Sequence, residues 1–371
     1  MKKTLLTVSL LLLTVLFNLA VGQAYQFSDV CRNKVTPVKD QARTGTCWCF
    51  ATTAFMESEL IRTGKGEFDL SEMYVVYQNY LNRLQDNYLR KGKGNIGEGS
   101  IAHMLLEVYR TNGIVPEEVY SGIKYNSDQH NHTELSQYME AIANVSVELK
   151  KRSPEYYKIM TNLLDTYLGE RPEKFTYKGV EYTPEKFLKH LGINISDYIE
   201  LTSFSHLPFY KASVLEIPDN WDYGRLYNLP IDEFMAVINN ALKSGYCVAW
   251  DGDISERGFS HKNGIAINPI LEKGEGEIDF SKLYNEKKVD QKNRQEGFES
   301  FVTTDDHLML LTGIVKDQNG TLYYVTKNSW GTEGSFGGYL NMSESFVRAK
   351  SVSMLVHKNS IPKEIREKLG I

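Results

Sequence analysis

The spacing of apolar and polar positions divides the chain into a helix-rich front and a strand-rich back. Thr46–Arg62 places apolar residues at Phe50, Ala54, Phe55 and Met56 and closes on Gly64, which predicts a helix with a glycine stop and Cys47 in its first turn. A second helix is expected over Ser71–Leu89, and a glycine-rich loop from Gly92 to Gly99 leads into a third over Ser100–Thr111. From about Tyr125 to Leu229, polar helical patterns such as Glu134–Lys150 and Pro154–Leu168 alternate with turn signals at Lys178-Gly179 and Leu207-Pro208, so this stretch reads as an inserted helical region. Apolar, β-branched runs follow at Tyr246–Trp250, His307–Val315, Leu322–Thr326 and Gly338–Met342, separated by turn-forming segments. The expected fold class is therefore α+β, with a helical lobe, a β-sheet lobe and a cleft between them as a natural place for a site.

The first 24 residues stand apart from this pattern. Lys2 and Lys3 precede the apolar run Leu5–Leu16, and the small residues Ala20, Gly22 and Ala24 follow. This predicts a signal peptide over 1–24, cleaved after Gly22 or Ala24, and a mature chain 25–371 that is periplasmic or secreted. No later apolar stretch approaches the roughly 20 residues needed to cross a bilayer, so no membrane association is expected after signal removal. With 42% apolar and 24% charged residues, the 371-residue chain can bury a large core. Its net charge of -5 is spread without a long basic or acidic block, which argues against nucleic acid or an anionic membrane as partner. Four cysteines are too few for a disulfide framework at this length. Cys47 and Cys49, about 200° apart on a helix, cannot bridge each other, while a Cys31–Cys247 bridge stays open. No second cysteine pair is present for a structural zinc, so neither metal nor cofactor is expected.

The chemistry concentrates in Asp40-Gln41-Ala42-Arg43-Thr44-Gly45-Thr46-Cys47-Trp48-Cys49-Phe50. A thiol is a weak nucleophile until ionised, and a helix N-terminus favours the thiolate. Acyl transfer develops negative charge on the carbonyl oxygen, for which the Gln41 amide and the Cys47 backbone N–H can supply two donors. Of the eight histidines, only His307 opens a segment that reads as a core strand; His103, His190, His130 and His132 sit in polar helical or loop contexts. Asn328, in Lys327-Asn328-Ser329-Trp330-Gly331, can hold the imidazole tautomer while Trp330 shields that bond from water. Cys49 reads as a packing thiol, since it points away from the side Cys47 occupies.

Gln41 to Phe50 resembles the nucleophile motif of the papain superfamily, and His307 with Asn328-Ser329-Trp330-Gly331 resembles its other two boxes in the same order. Within the superfamily the chain is similar to the bleomycin hydrolase and aminopeptidase C branch, through Leu70-Ser71-Glu72, Thr183-Pro184-Glu185-Lys186-Phe187, Leu226-Tyr227-Asn228 with Pro230, and Ile361-Pro362 with Glu364. The resemblance implies a papain-like two-lobed fold with its helical insert at about 125–229, a thioester acyl-enzyme on Cys47, peptides as substrates, removal of N-terminal residues and, as is frequent in that branch, homo-oligomers. It places Trp48 and Trp330 as supporting aromatics. It also implies that Gly97, Glu98 and Gly99 line the pocket for the second substrate residue, where Glu98 can meet a substrate amine.

Some features depart from the pattern. Thr44 stands where many secreted papain-like enzymes carry a disulfide cysteine, and Gly94-Asn95-Ile96-Gly97 lacks its partner. In agreement with that branch, only about 17 residues separate the expected signal from Gln41, too few for an inhibitory propeptide. After Ile361-Pro362 the chain lacks the longer C-terminal arm that reaches into the cleft in that branch. An open-ended cleft would suit an endopeptidase or mixed activity. A catalytically silent peptide-binding protein on the same fold is the other alternative, and the intact Gln41, Cys47, His307 and Asn328 argue against it.

Overall fold

The computed structural model describes residues 25–371 apart from 126, 151, 273–275 and 335; the export signal expected over 1–24 lies outside the described residues. After strand β1 (Ser28–Arg32) come helices α1 (Cys47–Arg62), α2 (Glu72–Leu89), α3 (His103–Asn112), α4 (Thr133–Glu148) and α5 (Tyr156–Leu168). The hairpin β2 (Phe175–Tyr177) and β3 (Val180–Tyr182) then leads to α6 (Pro184–Leu191). The helix ends follow local chemistry. Ser71 caps α2 by accepting the Tyr74 N–H, while α6 starts on Thr183 with Pro184 in its first turn and stops at a left-handed Gly192. Helix α1 has no polar stripe; it is buried from Cys47 through Leu60 and forms the central rod of the helical lobe.

The back of the chain supplies β4 (Tyr198–Thr202), β5 (Ala212–Val214), β6 (Arg225–Asn228), α7 (Ile231–Lys243), β7 (Val248–Gly252), β8 (Phe259–Ser260) and β9 (Ile265–Ala266). It continues through α8 (Gln291–Glu299), β10 (His307–Lys316), β11 (Leu322–Lys327), β12 (Tyr339–Ser343), α9 (Glu344–Lys350), β13 (Ser351–His357) and α10 (Lys363–Leu369). One mixed sheet runs in the order β5-β6-β4-β13-β7-β10-β11-β12-β9-β8, with β1 also paired to β10. The expected helical insert over 125–229 is thus helical only as far as Leu191; β4, β5 and β6 return to the large sheet, β4 pairing antiparallel with β13. The reading of about 125–229 as an inserted helical region is corrected by these strands: β4 has its partner β13 about 150 residues away and leaves no local signal, and the short local pairs β2–β3 and β5–β6 were missed.

The long strand β10 organises the molecule. Its first half pairs with β7, its second half with β1, and β11 runs along the other edge. Alternation along the strand sends Leu308 and Leu310 into the core beneath α1 with Trp48 and Phe55, and Met309 and Leu311 into a second core with Phe234 and Ile238 of α7. Ile365 and Leu369 dock α10 on that second core. All four cysteines are free, so the Cys31–Cys247 bridge left open by the sequence is not formed.

A partly buried ion cluster joins α3 to the sheet. His103 Nδ1 lies 2.7 Å from Glu200 Oε2 and its Nε2 lies 2.9 Å from Asp222 Oδ1. Burial works against the imidazolium, but Glu200 and Asp222 outweigh it and raise the His103 pKa to about 10. A raised histidine pKa contributes stability that is fully present below about 6.5 and is lost as pH rises towards 10. His103→Gln is expected to lower unfolding free energy at pH 6.5 by on the order of 2 kcal/mol and to flatten the decline between pH 7 and 10. Denaturant titrations of both proteins across that range check it; parallel curves would remove His103 from the account.

Candidate functional site

The turn before α1 is built by its own polar groups. Thr44 and Thr46 share a hydroxyl contact at 2.6 Å, and Thr46 O accepts the Cys49 and Phe50 N–H groups, which starts the helix at Cys47. Thr46 gives no side-chain cap, so its hydroxyl takes none of the first-turn N–H groups. Gly45 allows a close approach: a Cβ there would sit 3.0 Å from Glu98 Cβ and press on it, and the Gly45 N–H donates to Glu98 Oε2 at 2.7 Å. Trp48 Nε1 donates to Glu98 O at 3.0 Å, fastening the Gly97–Gly99 loop to α1.

Gln41 is held from three directions. Its backbone N–H donates to Ser329 O, its Nε2 donates to Thr44 O at 2.8 Å, and its Oε1 accepts the Ser329 hydroxyl at 2.6 Å. The next residue, Ala42, is left-handed at φ 49°, a conformation costly for a residue with a Cβ and sustained here by the Asp40 carboxylate on its N–H. Lys39, just upstream, is clamped by Asp69 at 2.6 Å and Glu72 at 2.9 Å, with Glu57 of α1 at 3.6 Å.

On the sheet side, His307 opens β10 and is buried. Its Nε2–H donates to Asn328 Oδ1 at 2.8 Å, which leaves Nδ1 as the basic nitrogen. Asn328 Oδ1 also accepts the Ser329 N–H at 2.8 Å, and Asn328 Nδ2 lies 3.3 Å from His261 Nδ1. The Trp330 ring centroid is 4.7 Å from the His307 ring and 5.1 Å from the His261 ring.

Cys47 and His307 face one open cleft of about 720 Å³, shared with Gln41, Gly45, Glu98 and Trp330. Burial pushes the Cys47 thiol up to about 12, with Asp305, Asp251 and Asp219 adding to the rise and the Leu308 N–H opposing it. Burial likewise lowers His307 to about 4, against the Asn328 bond. Burial thus works against the charged form of each group.

A scan against family models matches residues 14–370 to the Peptidase C1-like family. The chain belongs to the Peptidase C1-like family. Among curated proteins it is similar to aminopeptidase C of Lactobacillus helveticus, at 23% identity over 88% of this chain and 81% of that protein. Aminopeptidase E of the same organism is 24% identical, covering 89% of this chain and 83% of that protein. The mitochondrial cysteine proteinase 1 of Saccharomyces cerevisiae is 22% identical over 92% of this chain and 79% of that protein. The crystal structure of PepW from Lactobacillus rhamnosis superposes with a TM-score of 0.73 at 21% identity, covering 92% of this chain and 84% of that one, and so shares its fold. The two-lobed papain-like architecture and a cysteine-type peptidase activity follow for this member of the family.

The structure brings Gln41, Cys47, His307, Asn328 and Trp330 together and places Glu98 and Gly99 on the same cleft. Glu98 is turned towards the Cys47 loop, its Oε2 taken by the Gly45 N–H. Cys49 is fully buried, its Sγ 3.3 Å from Glu72 O, in agreement with a packing thiol. His132, which the sequence set in a polar context, is fully buried against the Tyr80 hydroxyl at 2.8 Å. His261, Ser329 as the anchor of Gln41, and the cleft carboxylates Asp219 and Asp306 were missed. Ser329 lies inside a recognised motif and Asp306 directly precedes His307, but His261 and Asp219 reach the site from other parts of the chain with no spacing to signal it.

Proposed function

We propose that Cys47 is the nucleophile, His307 the general base and acid, Asn328 the residue that orients the imidazole, and Gln41 with the Cys47 N–H the oxyanion donors of an aminopeptidase-type cysteine peptidase. The observation that carries this reading is the His307 Nε2–Asn328 Oδ1 hydrogen bond of 2.8 Å at a cleft shared with a thiol on a helix N-terminus. It fixes the tautomer and presents the free Nδ1 for proton transfer. As Cys47 Sγ attacks the substrate carbonyl carbon, its proton passes to His307 Nδ1. The imidazolium returns that proton to the leaving amine, and the C–N bond breaks to give a thioester. Water then gives its proton to His307 and hydrolyses the thioester, restoring the thiol. Trp330 covers one side of the His307 ring and limits competition by water for the Asn328 bond.

The names of the curated relatives support a preference for N-terminal residues. The leader-like pattern of 1–24 supports export of the enzyme. An epoxide-type cysteine-protease inhibitor is expected to label Cys47 in the full protein, and a free-amine aminoacyl fluorophore is expected to be cleaved faster than an N-blocked dipeptidyl fluorophore. Absence of both labelling and turnover would support the silent binding protein instead; faster cleavage of the blocked substrate would support an endopeptidase.

A further inference from the structure

Three carboxylates, Glu98, Asp219 and Asp306, line the cleft beside Cys47 and His307, and among the described residues no lysine or arginine does. Two of the three are already occupied. Glu98 Oε2 holds the Gly45 N–H, and Asp306 accepts the Ile254 and Ser255 N–H groups and the Thr304 hydroxyl. Asp219 has neither a hydrogen-bond donor nor an ion-pair partner among the described residues. Its carboxylate rests directly on the Gly97–Gly99 loop, so close that a Cβ at Gly99 would lie 2.0 Å from Asp219 Oδ2.

The segment carrying Asp219 is fixed in place. Asn220 Nδ2 donates to Leu215 O and Gly224 O, each at 3.0 Å, Asn95 Nδ2 donates to Pro218 O at 2.8 Å, and Ile217 and Trp221 are buried on either side. Behind it Arg83 is fully buried, bonded through Nη1 to Asn95 and packed on the Trp221 ring. Burial pushes the Asp219 carboxyl up, and the Arg83 charge opposes that rise without reaching the carboxylate as an ion pair. Asp219 therefore presents an unpaired acceptor to the cleft on a rigid support, next to the nucleophile.

We propose that Asp219 binds the free α-ammonium of the substrate and thereby confines cleavage to the first peptide bond of a chain. This rests on the peptidase reading above and adds the residue that sets its specificity. An ammonium supplies three donors and a full counter-charge to an acceptor that has none. A peptide continuing upstream would instead have to lay an uncharged backbone over Gly99 and desolvate the carboxylate with no compensation. Glu98, expected from the sequence to meet the amine, serves as a positioning residue for the Cys47 turn.

Asp219→Asn is expected to lower kcat/KM for a free-amine aminoacyl fluorophore by about 100-fold, as loss of a charge-assisted contact can do, while hydrolysis of the N-acetylated form of the same substrate falls far less. Equal losses on both substrates, or no loss on either, would overturn the inference. Alkylation of Cys47 by iodoacetamide in the variant separates lost recognition from a lost nucleophile. A wild type that neither alkylates nor hydrolyses either substrate would defeat the peptidase reading. A second measurement leaves Asp219 in place: with Cys47→Ala, leucinamide is expected to bind at least about tenfold more tightly than N-acetylleucinamide in calorimetry. Equal affinities would overturn the assignment of Asp219 even if the asparagine variant failed to fold.

Discussion

Cys47→Ala is expected to abolish peptide hydrolysis, by on the order of 10⁴-fold or more, because removal of a nucleophile leaves only binding and oxyanion stabilisation. Cys49→Ala, two positions along the same helix, should keep most of the activity. Both thiols are buried and both are pushed up by burial, so titration behaviour alone does not separate them. Placement does: Cys47 lies on the cleft with His307, whereas Cys49 faces inward against α2 at Glu72 O. The Cys49 change should appear as a stability loss of about 1 kcal/mol in denaturant unfolding. Turnover of a fluorogenic aminoacyl substrate by the two purified variants decides the matter, and an active Cys47→Ala enzyme would end the thioester mechanism.

Gln41→Ala is the second large effect, an expected loss of about 10²–10³-fold in kcat, in line with the removal of one oxyanion donor. The Gln41 side chain also braces the site through Thr44 O and the Ser329 hydroxyl, so part of the loss could arise from slackened geometry. Ser329→Ala is the control, since it removes the brace and keeps the amide. A much smaller loss in Ser329→Ala assigns the effect to the donor; equal losses assign it to the brace. A change in KM with kcat intact would mean that Gln41 meets only the ground state.

Much of this site was legible before the fold was. The glutamine and cysteine lie within one turn and the start of one helix, and the histidine and asparagine sit at the mouths of adjacent strands, so each half is encoded locally. What the sequence concealed lies between distant segments. The third helix was read from Ser100 and begins at His103, because Ile101 and Ala102 are buried by tertiary packing that mimics the start of a helical stripe. Strand β4 was taken for part of a helical insert because it is five residues long and its partner β13 follows about 150 residues later. Asp219 follows a proline in a loop and looks like an ordinary turn acid; only its seat on Gly99 gives it meaning. His103, read as polar and local, finds its partners 97 and 119 residues away.

The strip Lys39–Gln41 is stitched to the loop after β11 by Gln41 N–H to Ser329 O, Gly331 N–H to Lys39 O and the bridge between Asp40 and Trp330. The proposed oxyanion donor Gln41 is thus tied to the segment that directly follows Asn328. A fluctuation that peels this strip away displaces Gln41, whereas Asn328 keeps its own N–H bond to Gly338 O. The enzyme behaves at this seam as a latch that is either closed or sprung, and the amides of Gln41 and Gly331 should exchange with solvent deuterium at one common rate.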